Sequence, residues 1–399
     1  MLAEAEIFAL LPGVSRTFAL SIRALLPGSC KRALKKGRSA VRFTAPKSAP
    51  LASDVALAYL LCRLLDTIED DTLLPVQKRA RLLTAFGRAL AASSAADPAY
   101  AHKALALLDS VVANSNTREN ITATPAEKEL LQKAPGLFAR LDRLIPAHAD
   151  AIRCHASEMA FGMAESVRSM CPSGIASRRI ATGKNAAHTP LCRRSDLDHY
   201  CHYVAGTVGA MLTKLFIAQV PHMPHARAAI LHAHSESFAR GLQLVNILKD
   251  CCKDFTEGRV FIPREIVRAS GLRAMGVIRK GGRAHSGAAD GLDYEAFFSE
   301  DREASARRHA ALLPLLQDAL GDLSRAGIYT RALPRKLWRA RLFCVLPIVL
   351  ARATLKLLML PPEERDHTHP NISRRRVRFL AIASLPAAIS NTWVRVMCR

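Results

Sequence analysis

Two stretches of this 399-residue chain carry side chains whose types and spacing could do chemistry. In YLLCRLLDTIEDD, at 59–71, Asp66, Glu69 and Asp70 stand at i, i+3 and i+4, so a helix sets their carboxylates on one face. Acids crowded at the end of an apolar helix repel one another, and a hard divalent cation relieves the repulsion. Carboxylate oxygens with retained waters are the ligands that magnesium, Mg2+, takes. In GLQLVNILKDCCKDF, at 241–255, Asn246, Asp250 and Asp254 recur at i, i+4 and i+8 on a second apolar helix. Two such helices facing each other could coordinate several magnesium ions that bridge to a diphosphate and turn it into a competent leaving group. The plainer alternative is two solvated helix ends, and finding both motifs in one chain weighs against it. Arg63 lies beside the first motif and Lys249 directly precedes Asp250, so each could hold phosphate oxygens or form a structural ion pair.

The elements that must position these residues are helices. Half of the chain is hydrophobic, aromatic residues are 6%, and the apolar positions recur at helical spacing with almost no strand alternation, which predicts an all-α fold. Helical patterns run from Pro12-Gly13 to Pro27-Gly28 and over 51–70, 75–93, 101–115, 125–145 and 148–170. They resume at 195–219, 225–253, 293–328, 334–360 and 372–395. Between them, 29–50, 171–195 and 280–292 read as surface insertions. No internal repeat or long linker divides the chain, so 1–399 is expected to be one domain.

The formal net charge of +23 calls for an anionic partner. Residues 29–50 hold seven Lys/Arg and 171–195 hold five, with no acid in either, and from 330 onward fourteen Lys/Arg face three acids. Phosphates or membrane headgroups suit that distribution. A basic helical nucleic-acid-binding protein would also explain the charge, but it leaves the acids on apolar helices without a purpose, so no nucleic acid is expected. Ten cysteines lie scattered without zinc-ligand spacing and read as reduced thiols of a cytoplasmic protein. The opening MLAEAEIF carries two glutamates where an export signal needs basic residues. Arg352 and Lys356 break the apolar run after Leu342, so no membrane span is expected. Trp393 followed by Arg395 suits peripheral membrane contact, with a packed C-terminal helix as the favoured alternative.

The motifs D-x-x-E-D at 66–70, GLQLVNILKD at 241–250 and YCHYVAGTVG at 200–209 resemble the squalene/phytoene synthase family. The resemblance runs from Ser15-Arg16-Thr17-Phe18 to about Val377 and takes in EMAFGMAE at 158–165, GRVFIP at 258–263 and RLFCVLP at 341–347. Within the family, YCHYVAG and the late helix are more similar to squalene synthases than to phytoene synthases. The resemblance implies a single-domain helical bundle around a central channel, acting as a monomer. It implies that Asp66, Glu69, Asp70, Asp250 and Asp254 serve the magnesium ions with Asn246 beside them. It implies head-to-head condensation of two farnesyl diphosphates to presqualene diphosphate, followed by NADPH-dependent reduction to squalene. Phytoene or dehydrosqualene synthesis, which needs no reductant, is the alternative.

Residue by residue, Tyr203 matches the family tyrosine proposed to remove the ring-closing proton. A phenol is a weak base, so it would relay that proton to the released diphosphate. The competing reading is a core tyrosine packed against Gly206 and Gly209. Phe18 would line the channel, its ring face stabilising a cation, or would serve as simple core. Ser15, Arg16 and Arg63 match positions that contact diphosphate or nicotinamide cofactor, and Arg259 matches a phosphate-facing arginine. The chain also departs from the family. Lys249 stands where many relatives have arginine, losing the planar fork. The cofactor-linked basic segment is NISRRRVR at 371–378, where Arg374 or its neighbours could serve. No Gly-rich dinucleotide loop exists, so NADPH is inherited from the resemblance alone.

Overall fold

The structure is a computed structural model that describes residues 2–14, 16–25, 50–71, 74–92, 98–112, 123–169, 191–272, 292–364 and 372–398. The expected insertions at 29–50, 171–195 and 280–292 lie almost wholly outside the described residues. Those described form helices and turns, with no β-strand among them. In chain order they are α1 (Glu4–Val14), α2 (Arg16–Leu25), α3 (Pro50–Glu69), α4 (Val76–Ala91), α5 (Pro98–Val112) and α6 (Pro125–Gln132). Then come α7 (Ala134–Leu141), α8 (Pro146–Ser169), α9 (Arg194–Cys201), a π-helical turn at His202–Gly206, α10 (Thr207–Ala218) and α11 (His225–Thr256). Helices α12 (Arg264–Ala269), α13 (Tyr294–Phe298), α14 (Arg302–Ala332), α15 (Trp338–Met359), α16 (Arg374–Ala383) and α17 (Asn391–Met397) complete the set.

Local chemistry explains where this order departs from periodicity. The pattern over 125–145 splits at Lys133 because Pro135 sits in the first turn of α7 and starts a new helix. That over 293–328 becomes α13 and α14, each opened by an aspartate: Asp293 accepts the Ala296 amide at 2.8 Å and Asp301 the Ala304 amide at 3.1 Å. Pro386 divides 372–395 by placing a 3-10 turn, Leu385–Ala388, between α16 and α17. Helix α1 went unread, since its Pro12 lies in its last turn and masks an apolar stripe of Ile7, Phe8, Leu10 and Leu11.

Nearly all the described buried apolar residues from Leu2 to Cys398 form one connected cluster, beside a small second one of Ala24, Leu342 and Ala388. Within it α11 packs along α14 more extensively than any other pair packs, and α4 lies along α8. Gly241 permits the first approach, because a Cβ there would stand 2.9 Å from Cβ of Asp322. Asp322 is itself fully buried and accepts from Arg240 Nε at 2.7 Å and Arg325 Nη2 at 2.6 Å. The acidic helix α3 is anchored on its other side. Asp54 bonds His148 Nδ1 at 2.6 Å, and the Gln219 amide meets His148 Nε2 at 3.1 Å, joining α3, α8 and α10 in a dry interior.

Two helical stretches, Arg194–Ala218 and Arg335–Met359, are long and apolar enough to cross a membrane. The second is 72% buried over its apolar window, so its hydrophobic surface is already covered by protein. Its Arg341 has no exposed surface and is spent on structure. Nη1 donates to the carbonyls of Leu333 at 2.9 Å and Thr330 at 3.3 Å, and Nη2 donates to Asn391 Oδ1 at 2.8 Å and to the Ala387 carbonyl at 3.3 Å. These bonds satisfy the end of α14 and tie the C-terminal turn to it.

Asp322→Ala removes a fully buried carboxylate and leaves the half-buried Arg240 with a single acidic partner, Asp198. The expected loss is roughly 3 kcal/mol of unfolding free energy, the scale for breaking a buried charge pair. Urea denaturation measures it; a loss under about 0.5 kcal/mol, typical of a surface site, contradicts this role for Asp322.

Candidate active site

The end of α3 gathers acids where solvent is scarce. Glu69 is 8% exposed, and burial raises its carboxyl well above the usual range, reinforced by Asp70 and Asp66 and opposed by Arg79 and Arg259. Burial pushes Asp66 up to about 7 although a third of its side chain stays exposed; Arg63 pulls the other way and Asp70 adds to the rise. Asp70 is raised by burial too, against Arg259 and Arg63. The backbone that carries the three is held from outside. Arg79, on α4, donates to the Glu69 carbonyl at 2.8 Å, filling a carbonyl that the helix end leaves open. Arg63 donates to Glu127 Oε1 at 2.5 Å and lies 3.8 Å from Asp66. The other oxygen of Glu127 accepts the Thr124 amide at 2.9 Å in the capping box of α6, so a helix cap fixes the guanidinium beside the acids.

The second motif ends at a glycine-dependent turn. Gly258 takes φ of 82°, which costs a residue with Cβ, and the Arg259 amide then bonds the Asp254 carbonyl at 2.8 Å in a six-to-one closure of the helix end. The turn sends the Arg259 side chain back along α11, where Nη2 donates to Asp254 Oδ1 at 2.7 Å and Glu257 Oε2 at 2.5 Å. Asp254 is raised by burial, with Arg259 opposing and Asp250 and Asp70 adding. Arg259 is kept firmly charged despite burial, by Asp70 first and then by Asp254 and Glu257. Asp70, just past the end of α3, and Asp254 on α11 therefore share one electrostatic cluster with Arg259. The packing partners of α3 are chiefly α1, α8, α4 and α7, with α2, α6 and α10 also touching it, and those of α11 are chiefly α14 and α10.

Further up α11, Asp250 is half-exposed and pairs with Lys249 Nζ at 3.1 Å, and Asn246 is exposed. Among the described residues no three His, Cys, Asp or Glu side chains converge closely enough to hold a metal by themselves. The donor set nonetheless suits a hard divalent cation. Desolvated carboxylates that repel each other lose that penalty when a cation arrives, and a small cation that keeps its waters needs only one or two carboxylates from the protein.

Tyr203 lies on the π-helical turn, where one wide turn shifts the side-chain register of the segment. Its ring rests on Gly162 of α8: a Cβ at 162 would come within 2.0 Å of the tyrosine Cγ. The competing core reading set this ring against Gly206 and Gly209, whereas Gly209 approaches the Ser235 carbonyl of α11 and Gly206 the His202 ring. Beside Tyr203, His202 bonds Glu236 Oε1 at 2.9 Å and Glu158 Oε1 at 3.3 Å, bracing the turn against α11 and α8; burial opposes its charge, but the two glutamates outweigh it. A residue that sequence reasoning missed is Tyr200, stacked on Phe261 with centroids 4.9 Å apart and 6% exposed. Burial raises its phenol well above the usual range, and Glu69, Asp70 and Asp66 add to the rise, so its ring borders the acidic cluster. The signal that could have found it is its spacing three residues before Tyr203 on one helix face.

Ser15 lies outside the described residues; Arg16 and Phe18 belong to the backbone of α2, and their side chains lie outside the description. Arg374 is exposed at the start of α16, whose packing partners are α15 and the 3-10 turn, so it is not joined to the acidic cluster through its own helix. All eight described cysteines are free thiols.

A helical bundle in which an acid-rich helix end is electrostatically coupled to the end of a second acid-bearing helix fits the architecture of the isoprenoid-synthase class. The solved structure of TcSQS with a ligand shares the fold, with a TM-score of 0.66 over 99% of this chain and 89% of that one, at 23% identity. Residues 35–376 match the squalene/phytoene synthase family model, and the chain belongs to that family. It is 27% identical over 308 residues to the squalene synthase of Eremothecium gossypii, covering 77% of this chain and 56% of that one. It is 26% identical over 344 residues to the squalene synthase of Ganoderma lucidum, covering 84% and 61%. The chain thus spans only part, a little over half, of these relatives' own length.

The Tyr203 ring fills the space that a side chain at 162 would need. Gly162→Ala is expected to cost about 1–3 kcal/mol by overpacking. In a Tyr203→Leu background most of that cost should vanish, giving a coupling energy of at least ~1 kcal/mol in a double-mutant cycle of urea midpoints. Additive effects would mean that the two residues do not touch.

Proposed function

We propose that this chain condenses two farnesyl diphosphates head to head to presqualene diphosphate and reduces that product to squalene with NADPH, within a single domain. The observation that supports the reading is the electrostatic coupling of Asp70, Arg259 and Asp254, which links the ends of both acidic motifs. Family membership and relatives named squalene synthase support it.

Asp66, Glu69, Asp70 and Asp254 would hold magnesium ions, with Asp250 and Asn246 further along α11. Bound magnesium supplies positive charge that makes a diphosphate a better leaving group. The chain's own residues do the rest. Arg63 and Arg259 present guanidinium groups already oriented by Glu127 and by Asp254 with Glu257, and their remaining N–H donors suit phosphate oxygens. Lys249 adds a point charge. Tyr203, its ring fixed on Gly162, relays the proton lost on ring closure to the released diphosphate. Phe18 is assigned to the apolar wall that keeps water from the cationic intermediate, and Ser15 and Arg16 to the diphosphate or cofactor. For NADPH phosphates, Arg374 and its neighbours Arg375, Arg376 and Arg378 form an exposed basic start to α16, where Ser373 caps the helix by accepting the Arg376 amide at 3.2 Å.

With farnesyl diphosphate and magnesium, squalene is expected by mass spectrometry only when NADPH is supplied. A longer or dehydrogenated product, or squalene without reductant, overturns the reading. Asp66→Asn and Asp254→Asn are each expected to lower turnover at least ~100-fold, the scale of one lost charge-stabilising group, with little change in melting temperature. Turnover within threefold of the parent in either removes that residue from the metal site.

The C-terminal unit supports peripheral membrane contact as well. Phe379 and Ile382 are each 69% exposed, Ile389 is 65% exposed, and Leu385, Trp393 and Val396 are exposed too. Five arginines and no acid lie among residues 372–398. The unit is folded onto the protein through buried Val394, and Trp393 Nε1 donates to the Ala383 carbonyl at 2.6 Å, so packing and lipid contact use different faces. The chain should float with phosphatidylglycerol vesicles, and Phe379→Ser/Ile382→Ser should release it. Flotation unchanged by that pair rules the face out.

A further inference from the structure

A groove of about 500 Å³ opens between α4, α5 and the end of α8. It lies away from the acidic cluster. Its α4 residues Gln77, Arg81, Thr84 and Arg88 recur at helical spacing on the face opposite Arg79, the residue that holds the Glu69 carbonyl. The floor is apolar, made by Val76, Ala80, Ala85 and Leu107, and Tyr100 stands at the edge with 41% of its surface exposed.

Four cations surround this floor: Arg81 and Arg88 from α4, Lys103 from α5 and Arg168 from α8. No Asp or Glu is among the described lining residues. Arg168 is fixed across the helix junction by donating from Nη2 to Thr84 Oγ1 at 2.9 Å. Arg81, Arg88 and Lys103 make no ion pair among the described residues. Elsewhere this chain pairs its arginines readily, as Arg63, Arg240 and Arg259 do. Like charges held around an apolar concavity repel each other until an anion arrives, and a ligand with both an anionic head and an apolar tail satisfies rim and floor together.

We propose that this groove binds a phosphate or diphosphate monoester carrying an apolar tail, at a site separate from the acidic cluster. The head is held by the guanidinium and ammonium donors of the rim, and the tail lies on the alanine and leucine floor beside Tyr100. The assignment does not rest on the proposed reaction, since none of these residues belongs to it.

The test uses the full chain carrying Tyr100→Trp, with the unmodified chain, whose tryptophans are Trp338 and Trp393, as the baseline. Octyl phosphate is expected to give a saturable change in the fluorescence of the new tryptophan. Inorganic phosphate should bind at least about tenfold more weakly and 1-octanol should give no saturable change. Adding Arg88→Glu/Lys103→Glu should weaken octyl phosphate at least about tenfold while prenyl diphosphate turnover is unchanged. If the reversed pair lowers the melting temperature, Arg81→Gln/Lys103→Gln should give the same weakening in a fully folded chain. An unchanged response in the charge variants, or octanol acting as well as octyl phosphate, overturns the proposal. So does a response to phosphatidylglycerol vesicles with none to octyl phosphate, which would make the groove a lipid-contact surface.

Discussion

Mutual repulsion among carboxylates that burial has stripped of water is the constraint on which the rest of this structure turns. Glu69, Asp70, Asp66 and Asp254 are all driven toward their neutral forms by desolvation; Glu69, Asp66 and Asp254 each feel Asp70, and Asp70 feels Glu127 and Glu257. A cluster of this kind is unfavourable in isolation, and the chain tolerates it because two arginines are locked in place against it. Arg259 is positioned by the positive φ of Gly258, and Arg63 by a glutamate that also caps α6. Ordinary helix-end chemistry thereby becomes site chemistry: the cap, the glycine turn and the Arg79 bond to the Glu69 carbonyl would each be unremarkable alone.

The surrounding bundle keeps these helix ends in register. Helix α11 is locked to α14 by the close approach at Gly241 and the buried Asp322, and α3 is locked to α8 and α10 through Asp54, His148 and Gln219. On the proposed function, rigid helices that hold the acids a fixed distance apart and fill the gap with cations and substrate act better than acids carried on loops. The π-helical turn interrupts regular helix where it carries Tyr203, with Gly162 below the ring and His202 braced by two glutamates beside it. Local irregularity of this kind concentrates where a side chain must be aimed.

Much of this was legible in the sequence, and the limits are physical. Periodicity located the long helices because apolar stripes at 3.6 spacing survive any packing arrangement. The spacing of Asp66, Glu69 and Asp70 gave a shared face because that follows from helix geometry alone. Pairing across the bundle did not follow from spacing: that Asp254 feels the charge of Asp70 depends on how the two helices are set, and the fit of Gly162 beneath the Tyr203 ring is a tertiary contact that a motif does not carry. Tyr200 was overlooked because a tyrosine among apolar neighbours reads as core, and its setting beside the acids is a tertiary fact. The exposed apolar face of α16 and α17 was likewise hidden, since composition cannot say which side of a short helix its neighbours cover.

Shared cation binding by the two motifs is tested most directly by isothermal titration of magnesium in the presence of inorganic pyrophosphate, comparing Asp70→Asn, Asp254→Asn and the double variant with the parent chain. If the acids of α3 and α11 complete one site, each single variant loses nearly as much affinity as the double, so the effects are strongly non-additive. Independent losses that simply sum, or a single variant that binds as tightly as the parent, would contradict it.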